Sequence, residues 1–203
     1  MTPQLELPLF PLGTVLFKDG LLPLHVFEPR YVTMVEKAIE TETGFGVVLL
    51  KNGSEVHEKG TSSPPAIHSV GTLASLREHR RLDDGRFYVL AEGGAKFHVE
   101  TTWELEDHLR MAQVRIEMDE PKLEIRNSDA VLVDILQKVV DAMGAEAGEL
   151  NIDFDDASSV SMRLSEHLAI DLQYRQKLLE LNDAHQRFNL IWEWLRESTT
   201  EEF

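Results

Sequence analysis

The chain has 203 residues, of which 42% are hydrophobic and 28% are charged, and this is the composition of a globular protein that can form one large domain or two packed subdomains. No apolar run approaches the roughly 20 residues that a membrane-spanning helix requires, so a membrane protein is excluded. The formal net charge is −16, and residues 101–203 alone contain 23 acidic and 10 basic side chains, a balance that repels phosphates and makes nucleic acid an unlikely partner.

The chain opens with an apolar stretch, LPLFPLGTVLFKDGLLPLHVFEPRY at 7–31, which has no helical period and contains four prolines. It ends in a polar group made of His25, Glu28, Arg30 and Tyr31. Pro29 suits the first position of a helix, where a missing N–H costs nothing, so a helix is predicted over 29–43. FGVVLL at 45–50 is typical of a buried strand, and a long polar loop is expected at 51–66.

Residues 67–118 show the alternating pattern of β-strands with one wet face. In KFHVETTWELE the odd positions from Phe97 to Leu105 are predicted to face inward, and AQVRIEM is predicted to place Ala112, Val114, Ile116 and Met118 inward. Such alternation favours antiparallel pairing. LDDGRF at 82–87 predicts a hairpin turn and Gly93-Gly94 a second turn. A closed or nearly closed antiparallel barrel is the expected arrangement.

Beyond DEPKLE at 119–124 the pattern becomes helical. A stripe of apolar residues predicts a first helix that stops at Gly144, and it consists of Leu132, Ile135, Leu136, Val139 and Met143. Three further helices are predicted at about 156–169, 171–181 and 183–198. The expected fold class is therefore α+β, with a β subdomain at 1–122 that includes the helix near 29–43 and an α-helical subdomain at 123–203.

Motifs for chemistry are missing from the sequence. Neither a phosphate-binding GxxxxGK[ST] loop, a GxGxxG turn, a GxSxG elbow, nor an HxxxH or HExxH pair occurs. The chain has no cysteine, which removes thiolate chemistry and fits a reducing compartment, and MTPQLELPLF does not have the form of a secretory signal. We expect a cytoplasmic protein without catalytic residues, cofactor or metal. An enzyme with a dispersed site stays open as an alternative.

The last predicted helix has two apolar faces. Leu190 and Trp194 lie nearly opposite the face that carries Phe188, Ile191, Trp192 and Leu195, because successive helical residues are 100° apart. One interpretation buries both faces between neighbouring parts of the protein. The other exposes Leu190 and Trp194 as a patch for a partner protein or for assembly of a homo-oligomer, since tryptophan often anchors interfaces.

Several segments together resemble the N-terminal, substrate-binding domain of the ATP-dependent Lon protease. They are the opening stretch with LPLFPL and PLHVFEPRY, then FGVVLL, VGTLASL, LDDGRFYVLAEGGAKFHV and LAIDLQYRQKLLEL. The resemblance implies a PUA-like β-barrel followed by a helical bundle. It also implies a stand-alone homologue of that domain, without ATPase or protease modules, which binds unfolded polypeptide or a partner protein and catalyses nothing. FKDG at 17–20 and HLRMAQV near 110 depart from the family pattern.

The resemblance also bears on the polar group that closes the opening stretch. In the structural interpretation, Phe10, Leu16, Leu22, Leu24, Val26 and Phe27 are barrel core, and Glu28 and Arg30 form a charged bond where the helix begins. In the binding interpretation, His25, Arg30 and Tyr31 surround a cleft that accepts a peptide terminus or a carboxylate. By analogy with other PUA-like barrels, RNA binding is a further alternative, and it would require a basic groove.

Overall fold

The structure, a computed structural model, describes residues 4–52 and 65–200. Most of the polar loop expected at 51–66 therefore lies outside the described residues. The chain divides into two compact units, Met1–Asp119 and Glu120–Phe203. The sequence placed this boundary between residues 122 and 123.

The first unit is a β-barrel with one helix. Its elements are β1 (Gln4–Leu12), β2 (Leu21–Val26), α1 (Pro29–Thr41), β3 (Phe45–Leu50), β4 (Ile67–Arg81), β5 (Phe87–Glu104) and β6 (Arg110–Ile116). The strand order is β2-β5-β4-β3-β1-β6, and an additional pairing of β5 with β6 closes the sheet on itself. The β4–β5 and β5–β6 pairs are antiparallel as predicted. The sheet is nevertheless mixed, because β1 and β3 run parallel, with β2 and α1 forming the crossover between them.

The turn predicted at Gly93-Gly94 is wrong, because both glycines lie inside the long strand β5. A Cβ atom on Gly93 would lie 2.0 Å from the carbonyl oxygen of Phe17. The segment after β1 docks there, since the N–H of Asp19 donates to the Gly93 carbonyl at 2.7 Å and the Gly93 N–H donates to the Gly20 carbonyl at 2.9 Å. Glycine is required at this position for close backbone approach, and β5 continues through it.

The barrel core contains most of the predicted inward residues. Phe10, Leu16 and Val26 are buried, and Leu22 and Leu24 are partly buried. Phe27 was predicted to be core and is 51% exposed, because β2 ends at Val26 and Phe27 lies in the link to α1. Met118 is 86% exposed for the same kind of reason, since β6 ends at Ile116. The predicted inward face of β5 also fails at its end, where the residues from Thr101 to Glu104 and the following Leu105 are exposed.

The second unit is helical. Its α-helices are α2 (Ala130–Met143), α3 (Ala157–His167), α4 (Leu172–Glu180) and α5 (Ala184–Thr200), with short 3₁₀ helices at Asn127–Asp129 and Gly144–Glu149. Asp156, Asp171 and Asp183 cap the starts of α3, α4 and α5 by accepting backbone N–H groups. Across residues 4–52 and 65–200, no helix combines the length and apolarity that crossing a bilayer requires.

Candidate functional site

An apolar groove runs along α1 where this helix faces β1 and the turn after β5. It encloses about 530 Å³. Its inner surface is formed by the buried side chains of Leu7, Met34, Ala38 and Leu109, whereas Leu5 and Leu105 form its rim and are 42% and 44% exposed. Single charges also line it, from Glu6, Lys37 and Asp107.

The local sequence explains the apolar surface of the groove. Met34 and Ala38 are four residues apart, so both lie on the inward face of α1. Leu5 and Leu7 are two residues apart on β1 and therefore point to the same side of the strand. Leu7 pairs with Ala112 on β6. The periodicities of β1 and α1 thus place Leu5 and Leu7 opposite Met34 and Ala38.

One wall of the groove is the turn from Leu105 to Leu109. Hydrogen bonds within the turn hold it in one conformation. The N–H of Leu105 donates to the Leu109 carbonyl at 2.9 Å, and the N–H of His108 donates to the Leu105 carbonyl at 3.0 Å. The Asp107 carboxylate accepts the N–H of Leu109 at 3.0 Å. His108 has a φ of 65°, which closes the turn in the left-handed region. The exposed side chain of Leu105 is therefore presented by a defined turn.

Arg30, at the start of α1, connects the helix to this turn. Its Nη1 donates to the His108 carbonyl at 3.0 Å, and its Nη2 lies 3.1 Å from the Glu28 carboxylate. The guanidinium also covers the ring of Tyr31, which is buried and stacks on Phe10 with ring centroids 4.1 Å apart. The charged bond expected between Glu28 and Arg30 is present, and these contacts favour the structural interpretation of both Arg30 and Tyr31.

His25 has different surroundings from Arg30 and Tyr31. It lies exposed on β2 and stacks on Tyr88 of β5, with ring centroids 4.7 Å apart. It lines a separate depression on the barrel, of about 570 Å³. The structure therefore brings Arg30 and Tyr31 together and places His25 against another strand, so a cleft shared by all three stays a prediction.

Leu190 and Trp194 lie on α5, and both are half-buried. The hydroxyl of Tyr174 donates to the Leu190 carbonyl at 3.1 Å, which ties α4 to this part of α5. On the opposite face, Phe188 and Ile191 are completely buried, in agreement with the predicted stripe. A partner-binding role for Leu190 and Trp194 stays a prediction.

Sequence reasoning missed the groove because its residues come from four separate segments. The available signal was Leu105, which the alternation of β5 wrongly assigned to the inward face, together with the alternating Leu5 and Leu7 at the start of the chain. The groove offers alkyl surface, isolated charges and hydroxyl groups. Such a surface can take up the apolar side chains of a polypeptide.

The fold of the chain has counterparts among known proteins. A family model described as the ATP-dependent protease La (LON) substrate-binding domain matches residues 6–197. The chain belongs to this family. The PUA-like barrel with C-terminal helices that the resemblance implied is thereby supported at the level of the family and its fold.

Two relatives and two solved structures show how far the similarity of this LON substrate-binding domain extends. It is 26% identical over 196 residues to the Lon protease of Xanthomonas oryzae pv. oryzae and 29% identical over 193 residues to Lon protease 2 of Herpetosiphon aurantiacus. Both alignments cover 92% of this chain but only 22% and 23% of the relatives. The chain thus spans less than a quarter of their length.

The structural comparisons cover more than nine-tenths of each chain. The crystal structure of a Lon N-terminal domain protein from Xanthomonas campestris has a TM-score of 0.76 and 26% identity, over 94% of this chain and 98% of the other. The N-terminal domain of the Lon protease from the Mycobacterium avium complex has a TM-score of 0.59 and 16% identity, over 93% and 97%. Because the identity is only 16%, the second comparison shows similarity of fold alone.

Proposed function

We propose that this LON substrate-binding domain is a non-catalytic, cytoplasmic module that binds unfolded or partner polypeptide, and that the groove beside α1 takes up the apolar side chains of the bound segment. The family description supports the binding of polypeptide. The observation that carries the proposal is the groove itself, in which the exposed side chains of Leu5 and Leu105 continue an apolar lining formed by buried residues of α1 and β1.

The shape and chemistry of the groove suit a short extended segment. A volume of about 530 Å³ is in the range of sites that enclose a few side chains. Glu6, Asp107 and Lys37 supply both signs of charge in its lining, so the groove itself selects for apolar content more than for charge. Such selection fits a binder of unfolded polypeptide, which differs from folded protein in its exposed apolar side chains.

The test is a titration with a fluorescein-labelled, uncharged 12-residue peptide that contains leucine and phenylalanine, followed by fluorescence anisotropy. Leu105→Ser removes one of the two apolar rim residues and should weaken binding about tenfold, in line with the loss of one well-covered side chain. Because Leu105 is already 44% exposed, the change should leave folding intact, which circular dichroism checks.

Leu172→Ser is the matched control. Leu172 lies on α4 of the helical unit and is 40% exposed, so this variant loses the same alkyl surface away from the groove. It should bind the peptide as the unmodified protein does. Equal weakening by both variants, or weakening only by Trp194→Ala, would reject the groove in favour of a diffuse surface or of the α5 patch.

A further inference from the structure

A row of three side chains crosses the outer face of the barrel at one end of the sheet. Tyr88 on β5 is paired directly with His25 on β2 and with Arg80 on β4, so the three side chains share one face. His25 stacks on the Tyr88 ring, and the Arg80 guanidinium lies 5.5 Å from the centre of the same ring. The row presents an aromatic ring, 45% exposed, between an imidazole and a cation.

Arg80 differs from its neighbours in having no carboxylate opposite it. Three arginines close to it along the chain are matched, because Arg81 lies 2.9 Å from Glu36, Arg86 lies 2.5 Å from Asp84 and Arg77 lies 4.0 Å from Glu92. Among the residues that the structure describes, Arg80 has the Tyr88 ring as its contact and no carboxylate within 4.0 Å. In a chain with 36 acidic and 20 basic side chains, an exposed guanidinium without an acidic partner is unusual.

The row borders an open depression of about 570 Å³. A second row of side chains lies next to the first, two residues further along each strand. It consists of Leu90 on β5, which pairs with Pro23 on β2 and with Glu78 on β4. Glu78, the one carboxylate in the lining, lies two residues before Arg80 on β4, so both charges are on the β4 side of the depression. A bound group with a negative charge would lie beside Arg80 and place an adjoining apolar part over Tyr88 and Leu90.

We propose that this depression binds a polypeptide segment that carries a carboxylate side chain next to an aromatic or aliphatic one. The carboxylate accepts hydrogen bonds from Arg80, whose planar guanidinium suits a two-oxygen acceptor. The neighbouring side chain packs on the exposed ring of Tyr88 and on Leu90. Charge complementarity selects this occupant, because the guanidinium of Arg80 can bind the single carboxylate of one side chain.

A nucleic acid strand is the less favourable occupant of the same surface. Stacking on Tyr88 would suit a base, but strand binding also needs a positively charged groove that follows the phosphates. Here the neighbouring arginines are neutralised by Glu36, Asp84 and Glu92, and the whole chain carries −16. One guanidinium can match one carboxylate and cannot offset a phosphate backbone.

This inference extends the proposed function to a second surface and makes no use of the groove beside α1. The experiment uses two peptides with blocked ends, the acidic probe Gly-Phe-Glu-Glu-Gly and the neutral probe Gly-Phe-Gln-Gln-Gly, in NMR titrations of the full chain. The acidic probe should bind about tenfold more tightly, with the largest shifts at Tyr88 and Leu90, and added salt should weaken it. Arg80→Gln should reduce its affinity to that of the neutral probe.

Arg81→Gln is the matched control, because it removes the same charge from the next residue of β4, where the side chain pairs with Glu36. It should change the affinity less than twofold, and Leu105→Ser in the groove should leave acidic-probe binding unchanged. Equal affinity for both probes, or unchanged binding by Arg80→Gln, would overturn the proposal. Tighter binding of an oligothymidylate than of the acidic probe would overturn it in favour of nucleic acid.

Discussion

The interiors of the two units differ in the polar side chains that they enclose. Among the described residues of the barrel unit, Thr72 is the buried polar side chain, and it donates to the Leu16 carbonyl at 2.5 Å. The helical unit encloses a larger set, which consists of Asp129, Ser158, Ser161, Arg163, Ser165, Gln176 and Arg187. The two units thus reach a closed interior by different means.

The difference follows from where each architecture leaves backbone groups unpaired. In the closed sheet, the backbone groups of β1 and β3 to β6 find partners on the strands at both sides. Each α-helix, by contrast, leaves four N–H and four carbonyl groups without a partner in the helix. The helical unit therefore needs side chains at its helix ends, and some of these must be buried.

Arg187 on α5 satisfies several such groups at once. Its Nε and Nη2 donate to the carbonyls of Leu178 and Leu181, at 3.1 and 3.0 Å, which lie at and just after the end of α4. Its Nη1 donates to Ser161 of α3 at 3.0 Å, and both terminal nitrogens bind the carboxylate of Glu120. The guanidinium thereby joins α3, the end of α4, α5 and the first residue of the unit.

The largest effect on this comparison should come from Arg187→Met. The substitution leaves the Glu120 carboxylate, 8% exposed, without its counter-ion and should lower the free energy of unfolding by about 3–5 kcal/mol. Urea denaturation followed by tryptophan fluorescence measures it, since Trp192 and Trp194 report on the helical unit. Arg115→Met is the barrel control, because the Arg115–Glu100 pair is 3.8 Å apart and largely exposed, and it should cost less than about 1 kcal/mol. Equal losses of unfolding free energy in the Arg187 and Arg115 variants would contradict the contrast between the two units.

A second, intermediate effect should come from Gly93→Ala in the barrel. The new Cβ would meet the Phe17 carbonyl oxygen at 2.0 Å, and forcing β5 and the 17–20 segment apart should cost roughly 1–3 kcal/mol. Thermal unfolding followed by circular dichroism measures the loss. Gly94→Ala is the control, because its Cβ would lie 3.3 Å from the nearest atom, the Leu73 carbonyl oxygen, and should destabilise less. A larger loss for Gly94→Ala would contradict the close approach at Gly93.

The smallest predicted effect is a dependence of the stability of the helical unit on pH. Burial, together with Arg163 and Arg175, lowers the pKa of His167 below its ordinary value of 6.5. Glu166 is 3.9 Å from His167 but is already bound by Arg163 at 2.6 Å, so it offsets little of this effect. Below about pH 6.5 the unfolded chain binds the proton more readily than the folded one, so stability should fall as the pH is lowered through this range.

His167→Gln removes this ionisation and should flatten the dependence of the unfolding free energy on pH between 5 and 7. Urea titrations at several pH values measure the slope. Unchanged slopes in the His167 variant would show that its burial does not couple to folding.

Local pattern was enough to predict most elements of both units. The helix predicted at 29–43 is found at Pro29–Thr41, and the strand at 45–50 is found at Phe45–Leu50. The helices predicted at 156–169, 171–181 and 183–198 are found at Ala157–His167, Leu172–Glu180 and Ala184–Thr200. Periodicity and capping residues are local properties, which is why they could be interpreted without neighbours in space.

The errors occurred where the environment of a residue is set by distant segments. Gly93-Gly94 was predicted to form a turn. The backbone of Phe17 packs closely against Gly93, and this contact explains why glycine occurs inside β5. The burial of Arg187 was not predicted, although its spacing from Ala184 and Ile191 puts it on the apolar face of α5 and could have revealed it. Of the candidate site residues, Arg30 and Tyr31 were placed together and His25 apart, and the α1 groove was not foreseen.

The sequence by itself determined the family, the change from strands to helices and the absence of recognisable catalytic motifs, because each depends on short-range order or on quoted segments of the chain. Only the tertiary structure decided where leucines of β1 and of the turn after β5 meet α1, and that Arg80 has no carboxylate within 4.0 Å among the described residues. Those two features arise from strand register and barrel closure, which join residues far apart in the chain, and no local pattern records that distance.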